Sequence, residues 1–185
     1  YYYFLLTQHE HAIDAGVFHN DVISFGYGPY FFCHEQAFKD QSSRLTALAD
    51  YFESKCGIPL QIIQVLADQL SLEEAIATYL FNSQIILVED DVILVCPIQV
   101  KDHPKAFNIV SDWKDCGYIN NIAFTDLTHS LMNGGGPACL RLSCMVAPNT
   151  IGSVSHEFKF SASLINELTD IVTSTYPSSC SLSDI

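Results

Sequence analysis

The chain has 185 residues, 49% of them hydrophobic, and a formal net charge of −13 from 21 acidic against 8 basic side chains. That is enough apolar material for a core of one domain, or a large piece of a bigger one, and it argues against disorder. So acidic a surface repels phosphate backbones and anionic lipid, which excludes nucleic acid and membrane as expected partners and reads chiefly as a solubility feature.

Tyr1 to Leu6 is apolar but gives way at once to polar Thr7 to His11. It is too short to span a bilayer, has no basic flank, and is expected to be a short strand entered mid-fold, in a chain cut from a longer one. From Val17 to Phe25, β-branched or aromatic residues alternate with polar ones, which predicts a strand. Gly26 to Pro29 supplies a turn and Tyr30 to Cys33 the returning strand. Phe38, Leu45, Leu48, Ala49 and Phe52 then fall near one helical face, Gly57-Ile58-Pro59 ends that helix, and Leu60 to Leu66 is a strand. Ser71 and Glu74 have capping-box spacing and predict a short helix.

The order then recurs. Ser83 to Val88 and Val92 to Cys96 are predicted strands around an acidic turn, Pro104 to Cys116 a helix, and Ile119 to Phe124 a third strand. The reading is therefore α/β (α+β), with a repeated ββαβ unit and no linker between domains. Ala138 to Val146 reads as a further strand and Pro148 to Gly152 as a loop. Leu164 to Val172 reads as an amphipathic closing helix, and the Ser-rich tail from Pro177 as frayed.

The seven cysteines are odd in number, form no CxxC pair, and several sit in apolar runs. Buried reduced thiols fit this better than a disulfide framework, so the expected compartment is the cytoplasm. Cys139 is set apart, because Asn133-Gly134-Gly135-Gly136-Pro137 delivers it at the mouth of a predicted strand. Glycines there let a ligand or another strand approach the backbone, and an exposed thiolate would be a nucleophile. On residues alone an ordinary buried cysteine after a tight turn is the favoured reading. His19 ends an apolar run and is followed by Asn20-Asp21. An imidazole at a strand end could exchange protons near neutral pH, with Asp21 on the same face two residues on; a satisfied structural histidine is the alternative. His9-Glu10-His11 lacks a third ligand at a helpful spacing, so no metal is expected. His34, His103, His129 and His156 are isolated and suit surface or strand-end roles, and Trp113 suits helix packing.

Three stretches together resemble the bacterial succinylarginine dihydrolases: Gly16-Val17-Phe18-His19-Asn20-Asp21-Val22-Ile23, Thr78-Tyr79-Leu80-Phe81-Asn82-Ser83-Gln84, and Asn133-Gly134-Gly135-Gly136-Pro137-Ala138-Cys139-Leu140-Arg141. The resemblance covers about Ile13 to Leu142. It implies a pentein fold, in which five ββαβ units surround a pseudo-fivefold axis, with two to three of the five present here. It implies hydrolysis of N2-succinyl-L-arginine to N2-succinyl-L-ornithine, two ammonia and carbon dioxide, with Cys139 as nucleophile, His19 as general acid and base, and Asp21 and Asn133 against the small-molecule substrate. No metal or organic cofactor is implied, and a homodimer is expected. The family's third catalytic group, a glutamate, has no counterpart here, nor does a basic substrate contact, so the isolated chain is expected to be inactive. Ser143 stands where the family pattern has Arg. A deiminase or dimethylarginine hydrolase of the same superfamily, a non-catalytic fragment, and an unrelated thiol hydrolase remain as alternatives.

Overall fold

Two short strand–turn–strand segments, each followed by helix and a further strand, dominate residues Tyr1–Arg141, the first of two compact units; the second is Leu142–Ile185. The computed structural model describes residues 3–132, 135, 136, 139, 148–153 and 161–176.

The first unit opens with α1 (Glu10–Asp14), capped by the His9 ring, which accepts from the His11 amide. Residues 3–7 form no strand; the expected N-terminal strand reduces to a single bridge between Gln8 and Phe38. β1 (Ser24–Tyr27) and β2 (Tyr30–His34) pair antiparallel, closing on Tyr27 opposite Tyr30. The strand predicted over Val17 to Phe25 is thus displaced, because Asn20–Val22 is a 3-10 turn. Asn and Asp bond readily to nearby backbone and favour turns, which outweighs the alternation around them.

α2 (Gln41–Cys56) ends at Gly57, whose φ of 71° is the left-handed cap that glycine adopts without a Cβ clash. Phe38, expected on this helix, lies before it, and its amide donates to the buried Gln41 side chain. The chain then returns as β3 (Gln61–Val65), parallel to β2. α3 (Leu72–Thr78) starts with a full capping box, Ser71 Oγ accepting from the Glu74 amide and the Glu74 carboxylate accepting from Ser71 N. A 3-10 turn, Leu80–Asn82, follows.

The second sheet repeats the first. β4 (Gln84–Val88) and β5 (Asp91–Pro97) are antiparallel. After α4 (Ile98–Asp102) and α5 (Pro104–Asp115), β6 (Asn121–Thr125) runs parallel to β5. In both sheets the second strand is central. α6 (Thr128–Met132) completes the regular structure described before Cys139.

One apolar cluster joins the sheets, drawing Phe25, Phe32 and Val65 from the first and Leu94 and Cys96 from the second, with Leu80, Phe81, Trp113 and Ile119. Phe32 stacks on Phe25 at 4.6 Å, and Trp113 lies 4.7 Å from Phe32 and 6.4 Å from Phe81. The predicted packing role of Trp113 is therefore the one observed. His34 departs from its surface alternative: it is fully buried at the end of β2, Nε2 within 2.9 Å of the Leu70 carbonyl and Nδ1 accepting from Gln36 N.

In the second unit a 3-10 segment, Pro148–Ser153, and α7 (Ala162–Thr175) are described, the helix capped by Ser161 Oγ accepting from Leu164 N. Ile165, Leu168, Ile171 and Val172 on α7 are exposed. The predicted strand over Ala138 to Val146 and the tail from Pro177 lie outside the described residues, save Cys139, which sits in a turn. Among the described residues no helix is long and apolar enough to cross a membrane.

Candidate active site

The 3-10 turn Asn20–Val22 projects Asp21 toward the 3-10 turn Leu80–Asn82, and Cys139 approaches both. Two steps prepare this meeting. α3 is ended by Tyr79 in a left-handed conformation, φ 52°, and the next turn is pinned by the Asn82 amide donating to the Tyr79 carbonyl. The turn carries Leu80 and Phe81 into the core, which places the polar side chain that follows them, Asn82, in a fully buried position.

Asn82 Nδ2 donates to the main-chain oxygen of Asp21 and to Cys139 Sγ, each at 3.3 Å. The carbonyl of Asp21 can only accept, so it fixes which end of the amide faces the sulfur. Cys139 Sγ lies 3.7 Å from Asn82 Oδ1 and 3.8 Å from Asp21 Oδ2. Gly136, whose carbonyl accepts from the Cys139 amide at 3.1 Å, stands against Asn82 so closely that an added Cβ would collide with its side chain. Cys139 itself is half-buried.

Asp21 Oδ1 is sealed from solvent and has no hydrogen-bond partner among the described residues. A buried carboxylate oxygen without a donor is unfavourable, and a cationic group with N–H donors is the chemistry that would satisfy it. The Tyr79 phenol is pushed above its ordinary value, first by burial and then by the nearness of Cys139 and Asp21, so it stays a neutral O–H beside them.

Of the residues expected from sequence, Cys139 and Asp21 are brought together. His19 precedes Asp21 as the cap residue of the same turn. It is exposed, edge-on to Phe18 at 4.9 Å, and among the described residues it makes no hydrogen bond to Cys139. Because the 3-10 turn replaces the strand, alternation does not apply, and the exposed His19 and half-buried Asp21 face different surroundings. Asn133 lies outside the described residues. A groove of about 810 Å³ is lined by His19, Asn20, Phe18, Tyr27 and Phe38 among others, and by none of Asp21, Asn82 and Cys139. The chemistry lies where the three polar groups converge, outside this groove. Sequence reasoning missed Asn82 as a site residue. Its signal was an amide enclosed by the apolar run Tyr79-Leu80-Phe81 inside a stretch already conspicuous for other reasons. Among the described residues no cluster of three metal-ligating side chains occurs.

Fold and site together define a mixed α/β protein that holds a half-buried thiol against a carboxylate and an amide. The succinylarginine dihydrolase family model matches residues 2–185. The chain is 42% identical to an N-succinylarginine dihydrolase of Chromohalobacter salexigens over 143 residues, 76% of this chain and 31% of that protein. It is 37% identical to one of Pseudomonas aeruginosa over 180 residues, 96% of this chain and 40% of that protein. It is 35% identical to one of Marinobacter nauticus over 179 residues, with the same two coverages. The chain belongs to the succinylarginine dihydrolase family. It spans 31% to 40% of the length of these relatives.

Proposed function

We propose that the protein to which this chain belongs hydrolyses N2-succinyl-L-arginine to N2-succinyl-L-ornithine, two ammonia and carbon dioxide, in arginine catabolism. The observation that carries this is the convergence of Cys139 Sγ and Asp21 Oδ2 at 3.8 Å, with Asp21 Oδ1 buried and unpartnered among the described residues. That pair suits a cationic electrophile. The carboxylate takes the guanidinium by charge-assisted hydrogen bonds and holds its carbon over the sulfur.

The thiolate of Cys139 forms a C–S bond to the guanidinium carbon, and one amino nitrogen takes a proton from His19 and leaves as ammonia. Water then adds to the thiouronium carbon, giving a proton back to His19, and the C–S bond breaks to leave a ureido group. A second round at the ureido carbon releases the second ammonia and leaves a carbamate, which loses carbon dioxide to give the ornithine amine. Two waters are consumed and no redox partner is needed. General acid–base help of this kind is typically worth about 10²–10⁴ in rate.

The repeated sheet connectivity supports a pentein propeller as the architecture of the whole protein, with Asn133 as a further substrate contact and the remaining catalytic glutamate on another unit. A cytoplasmic homodimer is the assembly that goes with this reading. On this view the isolated 185-residue chain carries part of a pocket and does not turn over. The test is ammonia release from N2-succinylarginine by the whole protein, with Cys139→Ser alongside. Two ammonia per substrate, lost in the variant, is the expected result. One ammonia, or preference for free arginine, would move the protein to a deiminase-type activity, and undiminished release by Cys139→Ser would overturn the nucleophile.

A further inference from the structure

We infer that Asn82 is a catalytic residue of this site: its side-chain amide holds the sulfur of Cys139 and ties it to the turn that carries the Asp21 carboxylate. The inference rests on the reading of Cys139 as nucleophile.

Asn82 is buried completely, in a turn otherwise devoted to the core, and its Nδ2 has two hydrogens. One goes to the Asp21 main-chain oxygen and one to Cys139 Sγ, both at 3.3 Å. The first bond ties the Leu80–Asn82 turn to the turn that carries Asp21. The second places an N–H donor against the sulfur, which also lies 3.8 Å from Asp21 Oδ2. The sulfur becomes anionic before it attacks, and a neighbouring carboxylate opposes that charge. An N–H donor that needs no reorganisation offsets the repulsion and fixes the χ1 direction of the thiolate. Gly136 is what permits it, because any Cβ at that position would occupy the space of the Asn82 amide. Buried polar side chains are kept where their bonds are satisfied and useful, and a purely structural amide would not need the sulfur as a partner.

The experiment uses the whole protein with Asn82→Asp and Asn82→Ser. The first keeps shape and exchanges the donor for a carboxylate beside the sulfur; the second removes the reach. Iodoacetamide labelling at fixed pH, resolved by peptide mass spectrometry, reads Cys139 against the exposed Cys56 and Cys116 in the same sample. Buried Cys33 and Cys96 report unfolding, because they label only when the core opens. Expected is a loss of Cys139 labelling rate and of kcat on the order of 10–100-fold, the range of one hydrogen bond to an ion, with KM nearly unchanged. Cys139 labelling at the wild-type rate in a variant with protected Cys33 and Cys96 would overturn the inference, as would a rise in KM with kcat intact. Should one variant expose Cys33 and Cys96, the comparison is made on the other, and exposure in both would make Asn82 a packing residue and also overturn it. Failure of the unmutated protein to release ammonia from N2-succinylarginine would refute the substrate and leave the labelling result standing on its own.

Discussion

Replacing Gly136 by alanine adds one methyl group where the backbone of the Cys139 turn meets Asn82. The added Cβ would lie 2.9 Å from Asn82 Cγ and 3.3 Å from Leu131 Cδ2, with Asn82 Oδ1 nearer still. Carbon atoms in good contact sit at about 3.5–4.0 Å, so the amide or the turn must yield by roughly 1 Å. A displacement of that size breaks the two 3.3 Å bonds from Asn82 Nδ2 to Asp21 O and Cys139 Sγ. Each bond contributes about 0.5–1.5 kcal/mol net, and a methyl forced into a filled site costs about 1–3 kcal/mol. The sum is about 4 kcal/mol. For a protein of the relatives' length, of which this chain covers 31% to 40%, that lowers the unfolding temperature by roughly 4 °C. Calorimetry of the whole protein measures the shift, and peptide-resolved alkylation of Cys139 measures the loosened sulfur. An alanine variant that unfolds at the wild-type temperature, with Cys139 labelled at the wild-type rate, would refute the close approach of Gly136 to Asn82.

Asp21→Ala should raise KM for N2-succinylarginine on the order of 10–100-fold, the worth of charge-assisted bonds to a guanidinium, with a smaller effect on kcat; steady-state kinetics decide it. Trp113→Ala should destabilise by about 3–5 kcal/mol, because the indole is packed against Phe25, Phe32 and Phe81, and a urea midpoint equal to wild type would contradict that packing. Burial holds the His34 imidazole below its ordinary 6.5, so the unfolded chain takes up that proton more readily than the native one. Stability from this group is complete above about 6.5 and is lost as pH falls from there through the lowered native value. His34→Gln should therefore show a shallower fall in urea midpoint than wild type between neutral and mildly acidic pH, and identical slopes would refute it. Burial pushes the Cys33 and Cys96 thiols up to about 12, so N-ethylmaleimide should label Cys56 and Cys116 and spare these two in the folded protein. Rapid labelling of Cys33 or Cys96 would show that the core is open.

Local chemistry makes much of the chain legible in its sequence. The Ser71–Glu74 box places α3 because both of its bonds lie within one turn, and Gly57 ends α2 because only glycine takes the left-handed angle there without strain. The returning strand of the first hairpin, the second hairpin and the strand after each helix showed as changes in hydrophobic period, which each segment carries by itself. Family membership was legible for a similar reason: its three stretches are contiguous in the chain. Tertiary structure decided the rest. Val17 to Ile23 alternates like a strand, yet Asn20–Val22 is a 3-10 turn whose partner across the fold is Asn82, 61 residues from Asp21. His34 is indistinguishable from a surface histidine until Leu70 and Gln36 are seen to satisfy it. Cys139 reaches Asn82 across 57 residues and Asp21 across 118. No period or spacing encodes those separations. They are set by two sheets closing on one apolar core, which draws the Leu80–Asn82 turn inward and leaves its one polar side chain between the Asp21 main-chain carbonyl and the Cys139 thiol.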